Sequence, residues 1–193
     1  MPEAAEIDGR RLRSVASRDR IINAVIELVD EDQGIPGAEV IAARAGVGLR
    51  SVFRHFGDMD GLYVAVIDRI GRRYTHLSRP YEATDWQGQV REAMARRMEM
   101  FETVLPYRRA ADMHRQRSPL LDHGLDALTL MLRVRLETAV GAELRADDLW
   151  FEQLDLWLSL EAYGRLRDRQ RQDHAGAARV IEAAVSALLA AKR

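Results

Sequence analysis

Apolar residues recur at three- and four-residue spacing along most of the chain, as in the run Ile21, Ile22, Val25, Ile26 and Val29. This period is typical of amphipathic α-helices, and no segment alternates apolar and polar residues as a strand does. The pattern therefore predicts an all-α fold without internal repeats. The predicted helices cover residues 17–34, 38–45, 48–56, 59–77, 86–103, 106–117, 119–136, 146–170 and 174–191.

Local residue chemistry suggests several of these boundaries. Ser17 and Asp58 suit the N-cap position, because their side chains accept hydrogen bonds from free amides at a helix start. Gly46 interrupts the second helix, since glycine readily adopts the left-handed conformation that ends a helix. Pro119 suits the first turn of a helix, where the missing amide hydrogen costs nothing, and another helix is predicted to begin near Pro106.

Composition narrows the possible classes of protein. The chain has 193 residues, of which 47% are apolar, so it has material for one large or two small domains. It has no cysteine, which excludes disulfides, zinc ribbons and cysteine nucleophiles. The N-terminus lacks the apolar stretch of a signal peptide, and no apolar run reaches the ~20 residues that span a bilayer, so we expect a cytoplasmic protein. The net charge of −1 means that any affinity for nucleic acid must come from local charge placement.

The segment from Val40 to Gly57 carries the most informative pattern. Two short helices joined by a glycine-containing turn form a helix-turn-helix, whose second helix packs one face inward and presents the other to DNA. The apolar residues predicted on the inner side of the second helix are Val52, Phe53 and Phe56. The polar residues predicted to point away are Arg50, Ser51, Arg54 and His55, with Leu49 at the exposed N-terminal end. No acidic residue lies between Glu39 and Asp58, as expected of a surface that approaches phosphates.

The stretch from Ser17 to Ile67 resembles the DNA-binding domain of the TetR family of bacterial regulators. Beyond this stretch the resemblance is architectural, in long helices without strands. The residues that carry the resemblance are Ile41-Ala42, Ala45-Gly46-Val47, Ser51-Val52-Phe53, His55-Phe56 and Leu62.

The resemblance implies roles for individual residues of the second short helix. Leu49, Arg50 and Ser51 match the positions that face the bases, and arginine can read guanine in the major groove. Phe53 matches a tyrosine whose hydroxyl binds phosphate, so here the ring is expected to pack only. His55 matches a histidine near the phosphate backbone, and Arg54 is expected to add a backbone or base contact.

The chain departs from the family pattern at positions that usually contact phosphate. Gly48 replaces a serine or threonine N-cap, and Met59 replaces a lysine at the start of helix four. Gly37 and Ala38 replace hydroxyl residues at the start of helix two. We therefore expect modest operator affinity, or a larger contribution from the arginines near the N-terminus.

The resemblance implies a division into an arm and two domains. Residues 1–16, which include Arg10, Arg11 and Arg13, have no strong periodicity of their own and are predicted to form a flexible arm, either a disordered terminus or an arm that contacts DNA. Residues 17–70 form the helix-turn-helix domain, helix four (59–77) links the domains, and residues 78–193 form a helical bundle that binds a ligand and dimerises.

The C-terminal helices predict a homodimer. Residues 146–170 are apolar around much of the helix circumference, which indicates burial on several sides, and the last helix is rich in alanine, which permits close approach. We expect the last two helices, about 146–191, to pair with their twofold mates. The expected DNA partner is then a pseudo-palindromic double-stranded operator, read by two helices about one DNA turn (~34 Å) apart.

The resemblance also implies a small-molecule effector, which is expected between the helices from Trp86 to Trp157, where apolar and methionine-rich walls would suit such a ligand. The resemblance implies a repressor whose operator affinity this effector changes. The candidate lining residues are Met94, Met98, Phe101, Met113, His114, Leu128, Met131, Trp157 and Tyr163.

Two other classes of protein stay open at this point. A small helical enzyme is disfavoured, because the histidines are scattered and pairs such as Asp112 with His114 or Asp122 with His123 do not share a helix face. We accordingly expect no catalytic residue, metal or cofactor. A helical dimerisation module without DNA binding is the second alternative, and loss of DNA binding in an Arg50→Ala, Arg54→Ala variant with an intact dimer would argue against it.

Overall fold

The computed structural model describes residues 2–31, 36–115 and 118–192, with the side chains of residues 2–10, 75–76, 113–115 and 120 outside the description. The described residues form α-helices and one 3₁₀ helix and contain no strand, which confirms the predicted all-α fold. The helices are α1 (Pro2–Asp30), α2 (Ala38–Ala45), α3 (Leu49–Phe56), α4 (Met59–Gly71), the 3₁₀ helix (Arg72–Ser78), α5 (Trp86–Arg115), α6 (Pro119–Arg145), α7 (Asp148–Trp157), α8 (Leu160–Asp168) and α9 (His174–Ala190).

The chain divides into two compact units. The first contains the described residues of Met1–Arg73 and Pro106–Gly124, and the second those of Tyr74–Leu105 and Leu125–Arg193. The predicted boundaries at 70 and 78 bracket the division at Arg73, but the segment from Pro106 belongs to the first unit. A hydrogen bond of 2.7 Å from the Tyr107 hydroxyl to the Asp30 carboxylate ties this segment to α1.

The first unit is built around the apolar stripe of α1, against which α2, α3 and α4 pack. The predicted helix signals around the turn are confirmed. Gly46, at φ 62°, ends α2 in the left-handed conformation, and its amide donates to the last carbonyls of that helix. Asp58 caps α4 by accepting a 2.8 Å hydrogen bond from the Gly61 amide. The fully buried side chains include Ile21, Ile22, Leu28, Ile41, Val52 and Leu62.

Helix α1 begins at Pro2, so the prediction that it starts at Ser17 is wrong. Proline suits a first helical position, and the alanines, leucine and arginines that follow are good helix formers without any apolar period. The Ser17 hydroxyl accepts a bond of 3.3 Å from Arg20 within the helix. Helix α4 also differs from the prediction, which extended it to Leu77. It ends at Gly71 and is followed by the 3₁₀ helix, in which the backbone angles of Tyr74 (φ −108°, ψ 24°) are not helical.

The predicted break near Pro106 is also wrong, because α5 runs through this proline. A proline removes one backbone hydrogen bond, while Leu105 and Tyr107 on either side are 5% and 8% exposed and hold the helix in place. The helix predicted over 146–170 is instead two helices. Ser159 separates them, and its hydroxyl accepts a 3.1 Å bond from the Ala162 amide as the cap of α8.

The starts predicted at Pro119 and His174 are confirmed. The preceding residues act as caps: the Ser118 hydroxyl accepts from the Leu121 amide at 3.2 Å, and the Asp173 carboxylate accepts from the Gly176 amide at 2.6 Å. The second unit is built on a separate core shared by α5 to α9. Its largest fully buried side chains are Phe101, Met100, Leu136, Phe151, Leu154 and Tyr163.

Candidate nucleic-acid interface

Helix α3 presents two distinct faces. Val52 is completely buried and packs inward, as predicted. Phe56 is half-buried, and the guanidinium group of Arg18 lies 4.9 Å from the centre of its ring. Phe53 was expected on the inner side as well, but it is 40% exposed. The cause is geometric, since consecutive helical positions lie about 100° apart and only Val52 points at the core.

The outer face of α3 gathers most of the predicted contact residues. Leu49 and Phe53 are 38% and 40% exposed, and Arg50 and Arg54 are exposed beside them. Positions 49, 50, 53 and 54 share one side of a helix. Ser51 is half-buried, and its hydroxyl accepts a 3.2 Å hydrogen bond from the Arg54 guanidinium group. The outer face, defined here as Leu49, Arg50, Phe53 and Arg54, is thus apolar and cationic.

His55 lies at the edge of this face and is half-buried. Its Nε2 atom is buried and has no hydrogen-bond partner among the described residues. Burial, together with the charges of Arg54 and Arg18, lowers the pKa of His55 below its ordinary value of 6.5. A neutral imidazole at this position supports the packing of α3, with its ring edge-on to Phe56.

Arg44, in α2, does not contribute free charge to the interface. Its guanidinium group forms two hydrogen bonds of 2.8 Å to the carboxylate of Glu31 and lies 3.6 Å from that of Glu27. The hydrogen bonds from Arg44 lower the pKa of Glu31. The positive charge of α2 is therefore neutralised by acids at the end of α1.

The N-termini of α2 and α3 are uncapped by side chains. Gly37 and Gly48 occupy the two N-cap positions in extended conformation, and neither offers a side-chain oxygen. Free amides and the helix dipole at such an end attract phosphate oxygens. At these two positions only backbone amides, and no side-chain hydroxyl groups, are available to a phosphate.

Gly61 fixes the packing between α3 and α4, a role that was not predicted from the sequence. A Cβ atom at this position would lie 2.2 Å from the carbonyl oxygen of Phe56, far inside any van der Waals contact. The close approach holds the C-terminal end of α3 against the first turn of α4. A glycine three residues after an N-cap aspartate is the sequence signal that marks such a contact.

The residues predicted to line an effector pocket lie in the second unit, except for Met113 and His114, whose side chains lie outside the described residues. Met98, Phe101 and Tyr163 are buried in the core, and the Tyr163 hydroxyl donates to the Glu102 carboxylate. The remaining members are partly buried against that core: Met94, Leu128, Met131 and Trp157. Their role as an effector pocket stays a prediction.

A cavity of the second unit lies elsewhere and includes none of those residues. It is lined by Leu77, Tyr81, Ala93, Arg96, Arg97, Leu132 and Arg135. Of these, Arg97 is 3% exposed, a degree of burial that is rare for arginine. Its position four residues before Phe101, on an apolar helix face, is the sequence signal that could have pointed to it.

Membrane spans and metal sites are both absent from the part of the chain that the structure describes. No helix there has the length and apolarity needed to cross a membrane. No group of three or more histidine, cysteine or acidic side chains within those residues is placed to hold a metal ion.

No family model and no curated protein matches the chain. Solved structures do match in fold. A putative TetR-family transcriptional regulator from Rhodococcus sp. superposes with a TM-score of 0.68 at 16% identity, covering 89% of this chain and 98% of its own. A putative TetR-family regulator from Mesorhizobium loti MAFF303099 matches with a TM-score of 0.58 at 25% identity, covering 93% and 98%.

A third structure is that of the multidrug binding protein EbrR complexed with imidazole, with a TM-score of 0.60 at 20% identity, covering 86% of this chain and 88% of that one. These likenesses extend over both units, beyond the segment that carries the sequence resemblance. The fold of the chain is that of the TetR-family transcriptional regulators.

Proposed function

We propose that the protein is a homodimeric DNA-binding transcriptional regulator, a repressor whose operator affinity is modulated by a small-molecule effector. The observation that carries the proposal is the outer face of α3. It exposes Arg50 and Arg54 beside Leu49 and Phe53 in a segment that holds no carboxylate from Val40 to Gly57. The structural likeness to TetR-family transcriptional regulators supports the same function.

Each residue of α3 has a distinct role in this proposal. Arg50 reads guanine through its two-pronged guanidinium group, and Leu49 contacts thymine methyl groups in the major groove. Arg54 and Ser51, already hydrogen-bonded to each other, bind a phosphate or a base edge. Phe53 has no hydroxyl for phosphate and makes apolar contact only. His55 is neutral and positions the helix without adding charge.

The dimer is proposed through α7, α8 and α9. On α7, Leu149 and Leu156 lie two turns apart on one side of the helix and are 75% and 62% exposed, and clustered apolar side chains of this kind mark interaction surfaces. On α9, Val180 is 39% exposed and is followed on the same side by the exposed alanines Ala183 and Ala187. Burying these side chains against a second copy removes apolar surface from water. A twofold dimer would also present two recognition helices, one to each half of a pseudo-palindromic operator.

The effector acts by linkage in this proposal. A ligand that binds one conformation of the dimer more tightly shifts the population away from the DNA-binding conformation. One structural neighbour, the multidrug binding protein EbrR, is complexed with imidazole, which supports small-molecule binding by this fold. Release of the operator on binding is the repressor behaviour we propose.

The test is a gel shift of the purified chain on the DNA upstream of its own gene, with excess unrelated competitor DNA. We expect a discrete complex whose affinity falls steeply as salt rises. An Arg50→Ala, Arg54→Ala variant should lose this complex while keeping its elution volume. Arg91→Ala, Arg109→Ala is the matched control, since it removes the same charge from two exposed positions of α5, outside the proposed dimer surface. If both variants lost the DNA complex to the same extent, the loss would reflect non-specific charge, and α3 would not be a recognition helix.

A further inference from the structure

Three arginines line the cavity of the second unit. Arg96 and Arg97 come from α5 and Arg135 from α6, and no acidic residue is among the lining residues. The cavity measures about 10 Å³, which suffices for one water-sized group. A group of that size would lie against the side chains of these three arginines.

The carboxylates near the three arginines do not balance their charge. Glu92 lies 3.1 Å from Arg96 on the same helix. Asp155 lies 3.9 Å from Arg97, but it makes its close contact, 2.7 Å, with Arg133. Arg135 has no carboxylate partner among the described ion pairs. The cluster thus carries an excess of positive charge that a bound anion would offset.

Arg97 bears the highest cost of burial in this cluster. Its guanidinium group donates to the backbone carbonyl oxygens of Leu158, at 2.8 Å, and Leu132, both of which are neutral acceptors. Burial lowers the pKa of Arg97 to about 10. A carboxylate beside this guanidinium group would add a Coulomb attraction that the neutral carbonyl oxygens do not provide.

Arg96 and Arg135 converge on a single oxygen atom. Both guanidinium groups donate to the carbonyl oxygen of Arg79, each at 2.8 Å. Both also lie 5.1 Å from the centre of the Tyr81 ring. A neutral carbonyl oxygen therefore occupies the position in which paired guanidinium groups hold a carboxylate oxygen.

We propose that this cavity is the anchor point for the carboxylate of a small organic acid, and that this acid is the effector. The carboxylate would replace the Arg79 carbonyl between Arg96 and Arg135 and approach Arg97. Displacement of the Arg79 carbonyl would enlarge this small cavity along its apolar lining, Leu77, Ala93 and Leu132, which suits the organic part of the ligand rather than inorganic phosphate. The assignment as effector rests on the proposed function, but the binding itself does not.

Replacing the Arg79 carbonyl would free the segment that holds it. Leu77 belongs to the 3₁₀ helix that continues α4 along the chain, and Arg79 and Tyr81 follow directly. Two arginines now restrain this segment through backbone oxygens. A ligand that takes over these donors thus changes the restraint on the connection between α4 and α5.

The test is calorimetric titration of the full chain without DNA, at constant ionic strength. The probes are sodium benzoate and sodium hexanoate, compared with the neutral benzamide and hexanamide and with sodium phosphate. We expect at least one carboxylate to bind while its amide and phosphate do not. Arg135→Gln should weaken that binding about tenfold or more, because a charge-assisted pair is lost. Arg91→Gln, an exposed position of α5, should leave it unchanged.

Circular dichroism checks that Arg135→Gln is folded, and Arg96→Gln serves as the second variant if it is not. Binding of neither carboxylate, or equal binding by wild type and the arginine variants, would overturn the proposal. Phosphate binding with the affinity of the carboxylates would overturn its organic-acid specificity. Since the titration contains no DNA, failure of the gel shift and failure of this site are distinguishable.

Discussion

The guanidinium group of Arg44 donates two hydrogen bonds of 2.8 Å to the carboxylate of Glu31, thirteen residues earlier in the chain. The pair joins α2 to the residue that follows α1. It also neutralises the positive charge of α2, so that Arg44 is not available to bind DNA. In the helix-turn-helix segment, Arg50 and Arg54 of α3 are left as the exposed cations.

Arg44→Ala and Arg50→Ala should therefore differ in their effect on DNA affinity. Loss of a base-reading arginine costs ~1–3 kcal/mol, so Arg50→Ala should weaken operator binding about tenfold or more. Arg44→Ala removes a charge already paired, and we expect a change of about threefold at most, because its field is screened. Gel-shift titrations of the two variants at one salt concentration measure the difference. Equal losses would mean that Arg44 leaves Glu31 to bind phosphate.

Gly61→Ala should destabilise the first unit. The new methyl group would lie 2.2 Å from the Phe56 carbonyl oxygen, so α3 and α4 must separate. Overpacking of this kind costs ~1–3 kcal/mol. Thermal unfolding followed by circular dichroism measures the change, and operator affinity should fall with it because α3 is displaced.

The control for this variant is Gly71→Ala in the same helix. Nothing lies within 4 Å of a Cβ atom added at Gly71, so the substitution meets no steric resistance. Replacing a helical glycine with alanine gains up to ~1 kcal/mol. A fall in melting temperature of the same size in both variants would show that the effect at Gly61 is not the contact with Phe56.

The helix-turn-helix could be predicted from sequence because its signals are local. Gly46 and Asp58 end and begin helices through contacts within a few residues, and Val52 marks the inner face by its spacing. The continuity of α5 through Pro106 was not predictable in this way, since it depends on buried neighbours that the sequence does not identify.

The candidate site of the second unit could not be predicted from the sequence either. Residue types alone favoured methionine and aromatic positions, and those whose side chains are described lie in or against the core. The cavity is instead lined by arginines whose meeting depends on the packing of α5 against α6 and on the backbone oxygen of Arg79. Such convergence of distant residues has no periodic signal.

His55 should make stability depend on pH. Its pKa is lowered in the folded chain by burial and by the charges of Arg54 and Arg18, whereas the unfolded chain titrates near 6.5. As the pH falls, His55 therefore binds a proton in the unfolded state before it does so in the folded state. Its contribution to stability is complete above pH 6.5 and is lost as the pH falls from 6.5 towards the lower pKa of His55 in the folded chain. Melting temperatures of wild type and His55→Gln between pH 7.5 and 5.5 measure the effect. The variant should lose less stability over this range, and parallel curves would contradict the prediction.

Leu156→Asp should convert the dimer into a monomer. Leu156 is 62% exposed on α7, in the surface proposed to meet a second copy, and a carboxylate buried there without a partner would cost several kcal/mol. Leu130→Asp is the matched control, since Leu130 is also 62% exposed but lies on α6, outside the proposed interface. Sedimentation equilibrium of both variants gives the mass, and gel shifts give the operator affinity, which should fall only for Leu156→Asp. A monomeric Leu130→Asp beside a dimeric Leu156→Asp would place the interface on α6 instead.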